Sequence, residues 1–342
     1  MKQRRQPPAV RSSVPLLSIE GTARECGVQL GQAWRDTLHL YAARQSADEI
    51  PWWKDRSIAP LLRKLAPHVP DLFVGMAGGA GLPENRVSTP EPEWLDGCTS
   101  FAVAPSATLD GQPISGQTKD TTPDRERRFQ VLRMRLVDAP SMLLLTYPGW
   151  LCNHGFVEGR CAMLGNSLYA GRPRGTLGFG AWVLLAMHCR RVEDAVEMTR
   201  RHGTSSPGHR TIADEHGGIV GIELWAGGIG VLRPRRGIYT HANAVVSSKR
   251  WARHERFAVG TRDGSLHRQD RLRELLLANH GRLTAPLAQA ALTDQQGHPA
   301  GISRHESPQA TTTAAIILEP TRRLIHVTRG APDRNFPTMY SL

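Results

Sequence analysis

Within Trp94-Leu95-Asp96-Gly97-Cys98-Thr99-Ser100-Phe101-Ala102-Val103, a thiol follows directly on a glycine carbonyl. A cysteine in that position can attack the carbonyl before it, and once the Gly97–Cys98 peptide is broken the same residue carries a free α-amino group. Nucleophile and base then belong to one residue. Such an amine has an ordinary pKa of roughly 7.7–8.0, so near neutrality part of it is unprotonated and takes the thiol proton. No distant histidine is needed. The plainer role for Cys98 is a small buried residue opening a strand, since free cysteine is among the most buried residue types and a reactive one needs a special microenvironment.

The elements that must position this pair are legible on both sides of it. Thr22-Ala23-Arg24-Glu25 has the capping-box form, and Cys26, Leu30, Trp34, Leu38 and Tyr41 recur at helical spacing after it, so a helix is predicted from Thr22. Shorter helical stretches run through Leu61-Leu62 and Leu72-Phe73-Val74, before a loop rich in proline and acid from Pro83 to Glu93, the natural place for a processed chain to break. Beyond Cys98 the period changes to that of strands. Phe101-Ala102-Val103 and Ile114 flank Asp110-Gly111, a hairpin-turn dipeptide. Phe129, Val131, Met134, Leu136 and Met142 to Leu145 read as further strands. One helix is predicted from Trp182 to Arg201, strands at 211–213, 222–224 and 238–241, a helical block from about Gln269 to Ala291, and a closing hairpin through Ala314–Leu318 and Leu324–Val327. This order predicts an α+β fold of two antiparallel sheets packed face to face with helices outside.

The 342 residues and 40% hydrophobic content support a sizeable core. No apolar run approaches the roughly 20 residues that span a bilayer, and the basic start, Met1 to Pro8, lacks the apolar centre of a secretory signal. A cytoplasmic protein with no membrane partner is expected. Five cysteines are few and odd in number, which fits reduced thiols. Cys152, His154 and Cys161 lack paired C-x2-C spacing and no HExxH occurs, so no metal is expected. The net charge of +12 raises nucleic acid as a partner, but the basic residues are scattered and nearly all arginine, with lysine only at 2, 54, 64, 119 and 249. Arg190-Arg191 and Arg200-Arg201 are expected along one solvated helix face. An anionic small molecule such as an acyl-coenzyme A thioester explains the charge equally well.

Several landmarks occur in a fixed order: Gly21-Thr22-Ala23-Arg24-Glu25-Cys26-Gly27, Gly97-Cys98-Thr99-Ser100, Gly116-Gln117-Thr118-Lys119-Asp120, Asn153-His154-Gly155, Gly165-Asn166-Ser167-Leu168, His241-Ala242-Asn243 and Ile302-Ser303-Arg304-His305. From about Gly21 to Tyr340 the chain resembles the autoproteolytic cysteine acyltransferases typified by isopenicillin-N acyltransferase, relatives of the choloylglycine hydrolases among the N-terminal nucleophile hydrolases. The resemblance implies an αββα sandwich, self-cleavage between Gly97 and Cys98, and amide or thioester chemistry at the new N-terminus. It also implies three segments: a flexible basic stretch over 1–20, a helical propeptide portion over 21–97, and a catalytic portion over 98–342. The two fragments would stay associated around one core, with a small-molecule substrate and no cofactor beyond acyl-coenzyme A as a possible donor.

By the same resemblance Cys98 is the nucleophile, and Asp120 holds the amine and thiol in register and favours the protonated amine. Asn166 and Asn243 match two asparagines whose amides face the reacting carbonyl and the N-terminal cysteine; a donor aimed at the oxyanion is worth about 2.7–4 kcal/mol of barrier. Arg304 matches a late arginine near the nucleophile. Taken alone, Asp120 also reads as a strand-end turn residue, Asn166 and Asn243 read better as turn or loop residues, and Arg304 also reads as a surface ion-pair partner. Relatives commonly carry Asn-Trp before the aspartate, whereas this chain has Thr118-Lys119. On a strand, Lys119 points away from Asp120 and Thr118 shares its side, so the departure bears on the substrate-binding wall more than on catalysis. Two rival readings remain at this point, a papain-like Cys-His hydrolase using Cys98 or Cys152 with a histidine such as His154 or His241, and a basic nucleic-acid-binding module.

Overall fold

The computed structural model describes residues 13–46, 49–88, 97–151, 154–257, 260–305 and 310–342. Residues 1–12 of the basic stretch, the end of the proline-rich loop from Thr89 through Asp96, and Cys152 and Asn153 lie outside the described residues.

In chain order the elements are β1 (Leu16–Gly21), α1 (Ala23–Ala33), α2 (Arg35–Ala42), α3 (Ala59–Leu65), α4 (Val69–Ala80), β2 (Gly97–Val103), β3 (Ile114–Thr121), β4 (Gln130–Leu136), β5 (Met142–Thr146), β6 (His154–Val157), β7 (Cys161–Asn166), α5 (Phe179–Met187), α6 (Val192–His202), β8 (Gly208–Asp214), β9 (Ile219–Trp225), β10 (Gly228–Leu232), β11 (Ile238–His241), α7 (Lys249–Ala252), α8 (Arg262–Leu277), α9 (Ala285–Leu292), β12 (Thr311–Glu319), β13 (Leu324–Arg329) and β14 (Thr338–Ser341). The strands form an eight-stranded sheet in the order β1-β4-β5-β6-β7-β8-β9-β10 and a six-stranded sheet in the order β11-β2-β3-β12-β13-β14. Helices α1, α4, α5 and α6 cover the outside of the larger sheet, and α8 and α9 cover the outside of the smaller one. The layer order is therefore helix, sheet, sheet, helix, as the pattern of periods predicted.

Thr22 caps α1 by accepting from the backbone of Glu25, whose carboxylate returns the bond, so the predicted capping box forms. Glycines bring α1 and α4 into close contact: a methyl on Gly27 would lie 2.1 Å from the Leu72 carbonyl oxygen, and one on Gly75 would lie 2.1 Å from that of Arg24. The residues before Gly97 belong to the main core. Ile19, Leu30, Trp34, Phe73 and Met76 are buried in one cluster with Val131, Leu144, Trp182 and Ile316.

Four expectations change. Residues 16–21 are not a flexible leader but β1, and it pairs parallel to β4, so the larger sheet is mixed at this edge. The single helix from Trp182 to Arg201 is two, α5 and α6, because the chain leaves the helix after Met187 and is extended at Arg191; there Cys161 N–H bonds the Cys189 carbonyl and Asp194 caps Arg191. Arg190 and Arg191 thus precede α6 instead of sharing a helix face with Arg200. The helical block from Gln269 is also two helices, starting earlier at Arg262 and parted at Gly281, whose φ of +78° suits glycine. Asp110-Gly111 lies in a ten-residue connection between β2 and β3, not in a tight two-residue turn.

Candidate active site

Strand β2 begins at Gly97, lies between β11 and β3, and every one of its residues is buried. Its register with β3 sets Gly97 opposite Asp120, Cys98 opposite Lys119, Thr99 opposite Thr118 and Ser100 opposite Gln117. Opposed residues share a face and successive ones alternate. Gly97, Thr99, Thr118 and Asp120 therefore face the α8 layer, while Cys98, Ser100, Gln117 and Lys119 face the other sheet. The contacts agree with this: Thr99 meets Arg268 of α8, whereas Ser100 and Gln117 bond Asn166 and Gly165 of β7.

On the β11 side the ladder stops at His241 opposite Ser100. The Cys98 N–H would have no strand partner there, and the side chain of Asn243 supplies one, its Oδ1 accepting at 2.9 Å. Asn243 is itself fixed from three directions. Its backbone N–H donates to Ser265 Oγ at 2.6 Å, its Nδ2 donates to the Ser167 carbonyl at 3.0 Å, and Oδ1 accepts a second bond from Arg268 Nη2 at 2.9 Å. The loop that carries it is pinned by Glu223, which accepts from the backbone of Val246 and Ser247 and from the Ser247 hydroxyl. Burial raises the Glu223 carboxyl, but bonds from His241, Ser247 and Val246 outweigh it and hold it ionised.

Arg268 is completely buried, and its Nε donates to Thr99 Oγ1 at 3.0 Å. Burial and the neighbouring Arg304 lower its pKa to about 10, which still leaves it cationic at neutral pH. Asp120 stands against Gly97: a Cβ on Gly97 would lie 3.2 Å from the Asp120 Cβ and 3.4 Å from Arg304 Nη1. The carboxylate accepts from Thr312 Oγ1 at 2.7 Å and faces Arg304 Nε at 3.4 Å. Burial raises its pKa against the opposing pull of Arg304, Arg268 and the Thr312 bond. Asp120 and Arg304 thus flank the glycine side of the Gly97–Cys98 peptide, and the Asp120 side chain leaves the sheet on the face opposite the thiol.

Asn166, at the end of β7, is reached from the thiol's face through Ser100. Its Oδ1 accepts from Ser100 Oγ at 2.7 Å and pairs with His209 Nδ1 at 2.9 Å, and its Nδ2 lies 3.5 Å from the His241 carbonyl. Since an amide oxygen only accepts, His209 carries its proton on Nδ1, and Nε2 accepts from Tyr239 OH at 2.8 Å. Burial, with His241 close by, keeps the His209 ring neutral.

The structure therefore brings Cys98, Asp120, Asn243 and Arg304 together around one strand end, with Asn166 one position further along. Sequence reasoning missed Arg268, Ser265, Thr312 and Glu223. Ser265 and Arg268 are three apart on α8 and share a face, but the helical block expected from Gln269 begins beyond both, so that spacing carried no signal. Of the histidines considered for a Cys-His pair, His241 is held by Glu223 Oε1 at 2.8 Å and by the Ala242 carbonyl at 2.6 Å. Cys152 lies outside the described residues.

No protein-family model matches the chain, and no curated protein matches it. Among solved structures, a variant of conjugated bile acid hydrolase from Clostridium perfringens is 12% identical, covering 71% of this chain and 97% of its own with a TM-score of 0.46. A second variant of that enzyme is 10% identical, with coverages of 72% and 92% and a TM-score of 0.38. Penicillin V acylase from Agrobacterium tumefaciens is 12% identical, with coverages of 70% and 78% and a TM-score of 0.37. Overlays this loose decide nothing about the chemistry, which rests on the residues around Cys98.

Proposed function

We propose that this chain is an N-terminal-cysteine amidohydrolase or acyltransferase for a small-molecule amide or thioester, matured by breaking its own Gly97–Cys98 peptide. The observation that carries the reading is the Cys98 N–H held by Asn243 Oδ1 at 2.9 Å at an open strand end, with Asp120 and Arg304 against Gly97. An amide nitrogen held by a side-chain carbonyl becomes, on cleavage, an amine already seated on an acceptor.

In maturation the Cys98 sulfur adds to the Gly97 carbonyl, the C–N bond breaks, and the proton from the thiol ends on the released amine. Water then attacks the thioester, giving the Gly97 carboxylate and the free thiol. In turnover the amine takes the thiol proton, sulfur forms a thioester with the substrate acyl group, and the leaving amine carries the proton away. Water or an acceptor amine closes the cycle. Asn166 Nδ2, which lies a long 3.5 Å from the His241 main-chain carbonyl, is the donor we assign to the developing oxyanion.

Denaturing electrophoresis with N-terminal sequencing tests the proposal. The purified protein should give two fragments, the larger beginning Cys98-Thr99-Ser100, and Cys98→Ala should give one intact, inactive chain. A single band from wild type, or normal cleavage in Cys98→Ala, refutes self-processing and returns the papain-like reading to first place.

A further inference from the structure

Gln117 stands opposite Ser100 in the register of β2 with β3, and its side chain crosses the gap between the sheets to β7. There it meets one residue twice: Nε2 donates to the Gly165 carbonyl at 2.7 Å, and Oε1 accepts the Gly165 N–H at 3.0 Å. A side-chain amide used in this way holds a backbone unit as a neighbouring strand would, exchanging a bond in each direction. The Gly165 carbonyl belongs to the planar peptide that leads into Asn166, so the first bond fixes the plane from which that residue departs. The opposite face of Gly165 is covered by Arg210, whose Nη1 would lie 2.8 Å from a Cβ at this glycine. Gln117 is completely buried, and the chemistry proposed above does not use it.

The side chain of Asn166 is turned by further groups. Its Oδ1 accepts from Ser100 Oγ at 2.7 Å and from His209 Nδ1 at 2.9 Å. Ser100 gives its single proton to that bond, so Thr211 Oγ1, 3.0 Å away, donates to Ser100. His209 is backed by the Tyr239 hydroxyl at 2.8 Å, and burial keeps that phenol protonated. The His209 ring also lies on the ring of His241, with centroids 3.6 Å apart and planes 10° apart, which leaves it little room to tilt. With Oδ1 committed to two donors, Nδ2 is the end of the Asn166 amide left to donate.

Resting on the reading of Cys98 as the nucleophile and Asn166 Nδ2 as the oxyanion donor, we propose that Gln117 and His209 are positioning residues for that donor. Gln117 sets the backbone at Gly165, His209 sets the sense of the Asn166 amide, and both act through Asn166. The donor is then in place before the substrate arrives. An amide free to turn would instead have to be ordered as the charge develops, which forfeits the advantage of a preorganised site. Loss of either residue should therefore weaken the tetrahedral, charged state and spare the ground state.

The test sets a tetrahedral adduct against a ground-state mimic in wild type, Gln117→Met, His209→Leu, His209→Asn and Asn166→Ala, each read per molecule that begins at Cys98. The adduct comes from straight-chain aldehydes, acetaldehyde to octanal, labelled with carbon-13 at the carbonyl and followed by NMR. The Cys98 sulfur bonds to the aldehyde carbon, the carbonyl π electrons move to oxygen, and the thiol proton passes to the α-amino group. The matching primary alcohols bind without reacting. Gln117→Met and His209→Leu should weaken the aldehydes by about 100-fold, the effect of a group misplaced by about 1 Å, and leave the alcohols unchanged. His209→Asn keeps an N–H near the Nδ1 position and should recover most of the loss. Equal losses for aldehyde and alcohol, or none for either, overturn the positioning role and make Gln117 a tie between the sheets. If Gln117→Met does not mature, the two His209 variants, which alter no backbone contact of Gly165, decide the case. The underlying reading fails in a different way: aldehydes undiminished in Asn166→Ala remove the donor, and no adduct with any aldehyde in wild type removes Cys98 as the nucleophile.

Discussion

Asn243 accepts the backbone N–H of Cys98 at 2.9 Å, two residues beyond the point where β11 ends. A side chain thus completes a sheet ladder where no strand remains to do so, and the same oxygen neutralises part of the buried Arg268 charge. The joint duty makes residue 243 sensitive in two separable ways.

Asn243→Ala should lower both self-cleavage and turnover and also melt a few degrees earlier, because Arg268 loses an acceptor worth about 1–3 kcal/mol. Asn243→Asp keeps the acceptor and should recover the melting temperature. Its carboxylate beside the new α-amino group favours the ammonium, so the acidic limb of the kcat/KM profile should move to higher pH. An unmoved limb in Asn243→Asp separates residue 243 from the amine.

Arg268 joins α8 to β2 through Thr99 and Asn243. Arg268→Met should keep the fold, since a buried cation is exchanged for a side chain of similar volume, yet lower kcat/KM by about one to two orders of magnitude, the equivalent of one or two hydrogen bonds to a charged group. Circular-dichroism melts alongside the kinetics decide the case: equal loss of stability and activity makes Arg268 a packing residue.

Helices α4 and α5 meet through two histidines, His188 Nε2 lying 3.3 Å from His68 Nε2 while His188 Nδ1 bonds the Leu184 carbonyl at 2.7 Å. Burial, with His68 adding to it, lowers the His188 pKa to about 3. Burial lowers that of His68 as well. Between pH 3 and 6.5 the unfolded chain therefore binds protons that the folded one does not. Stability should be full above pH 6.5 and fall as the pH drops toward 3, by an amount on the order of 5 kcal/mol. Urea unfolding at stepped pH should show this slope in wild type and a shallower one in His188→Gln.

Gly75 and Gly78 stand three apart on α4 and meet opposite surroundings. A methyl at 75 would press on the Arg24 carbonyl at 2.1 Å, while one at 78 has nothing within 4 Å. Gly75→Ala should cost about 3 kcal/mol or more, since two backbones must separate. Gly78→Ala should be neutral or stabilise by up to about 1 kcal/mol. Melting temperatures that fall equally in both would show that the helix contact is not what matters.

Local signals carried the fold far. The capping box at Thr22, the strand periods on both sides of Asp110 and the order of the asparagines all recur in three dimensions, and alternation correctly set Lys119 on the side away from Asp120. Alternation alone does not say which of those two sides holds the thiol. That depends on the pairing of Gly97 with Asp120, a long-range fact that no local pattern encodes. The break between α5 and α6 was invisible for a similar reason, since apolar periodicity continues on both sides of it and the interruption is imposed from β7 through Cys161. Strand β1 is short and borders a basic stretch, and its partner, β4, is more than a hundred residues away.

The register that sets Asp120 against Gly97 has a temporal meaning. A chain still unfolded holds the Gly97–Cys98 peptide but neither Asp120, Arg304 nor Asn243 beside it, because those three residues are gathered around it only when β2 has found β3 and β11. On the reading proposed above, scission cannot precede folding, and the cut is a permanent mark that a molecule once reached the native arrangement. Substitutions far from Cys98 that merely slow sheet assembly would then accumulate as uncut chain, so the ratio of cut to uncut protein counts folding events molecule by molecule.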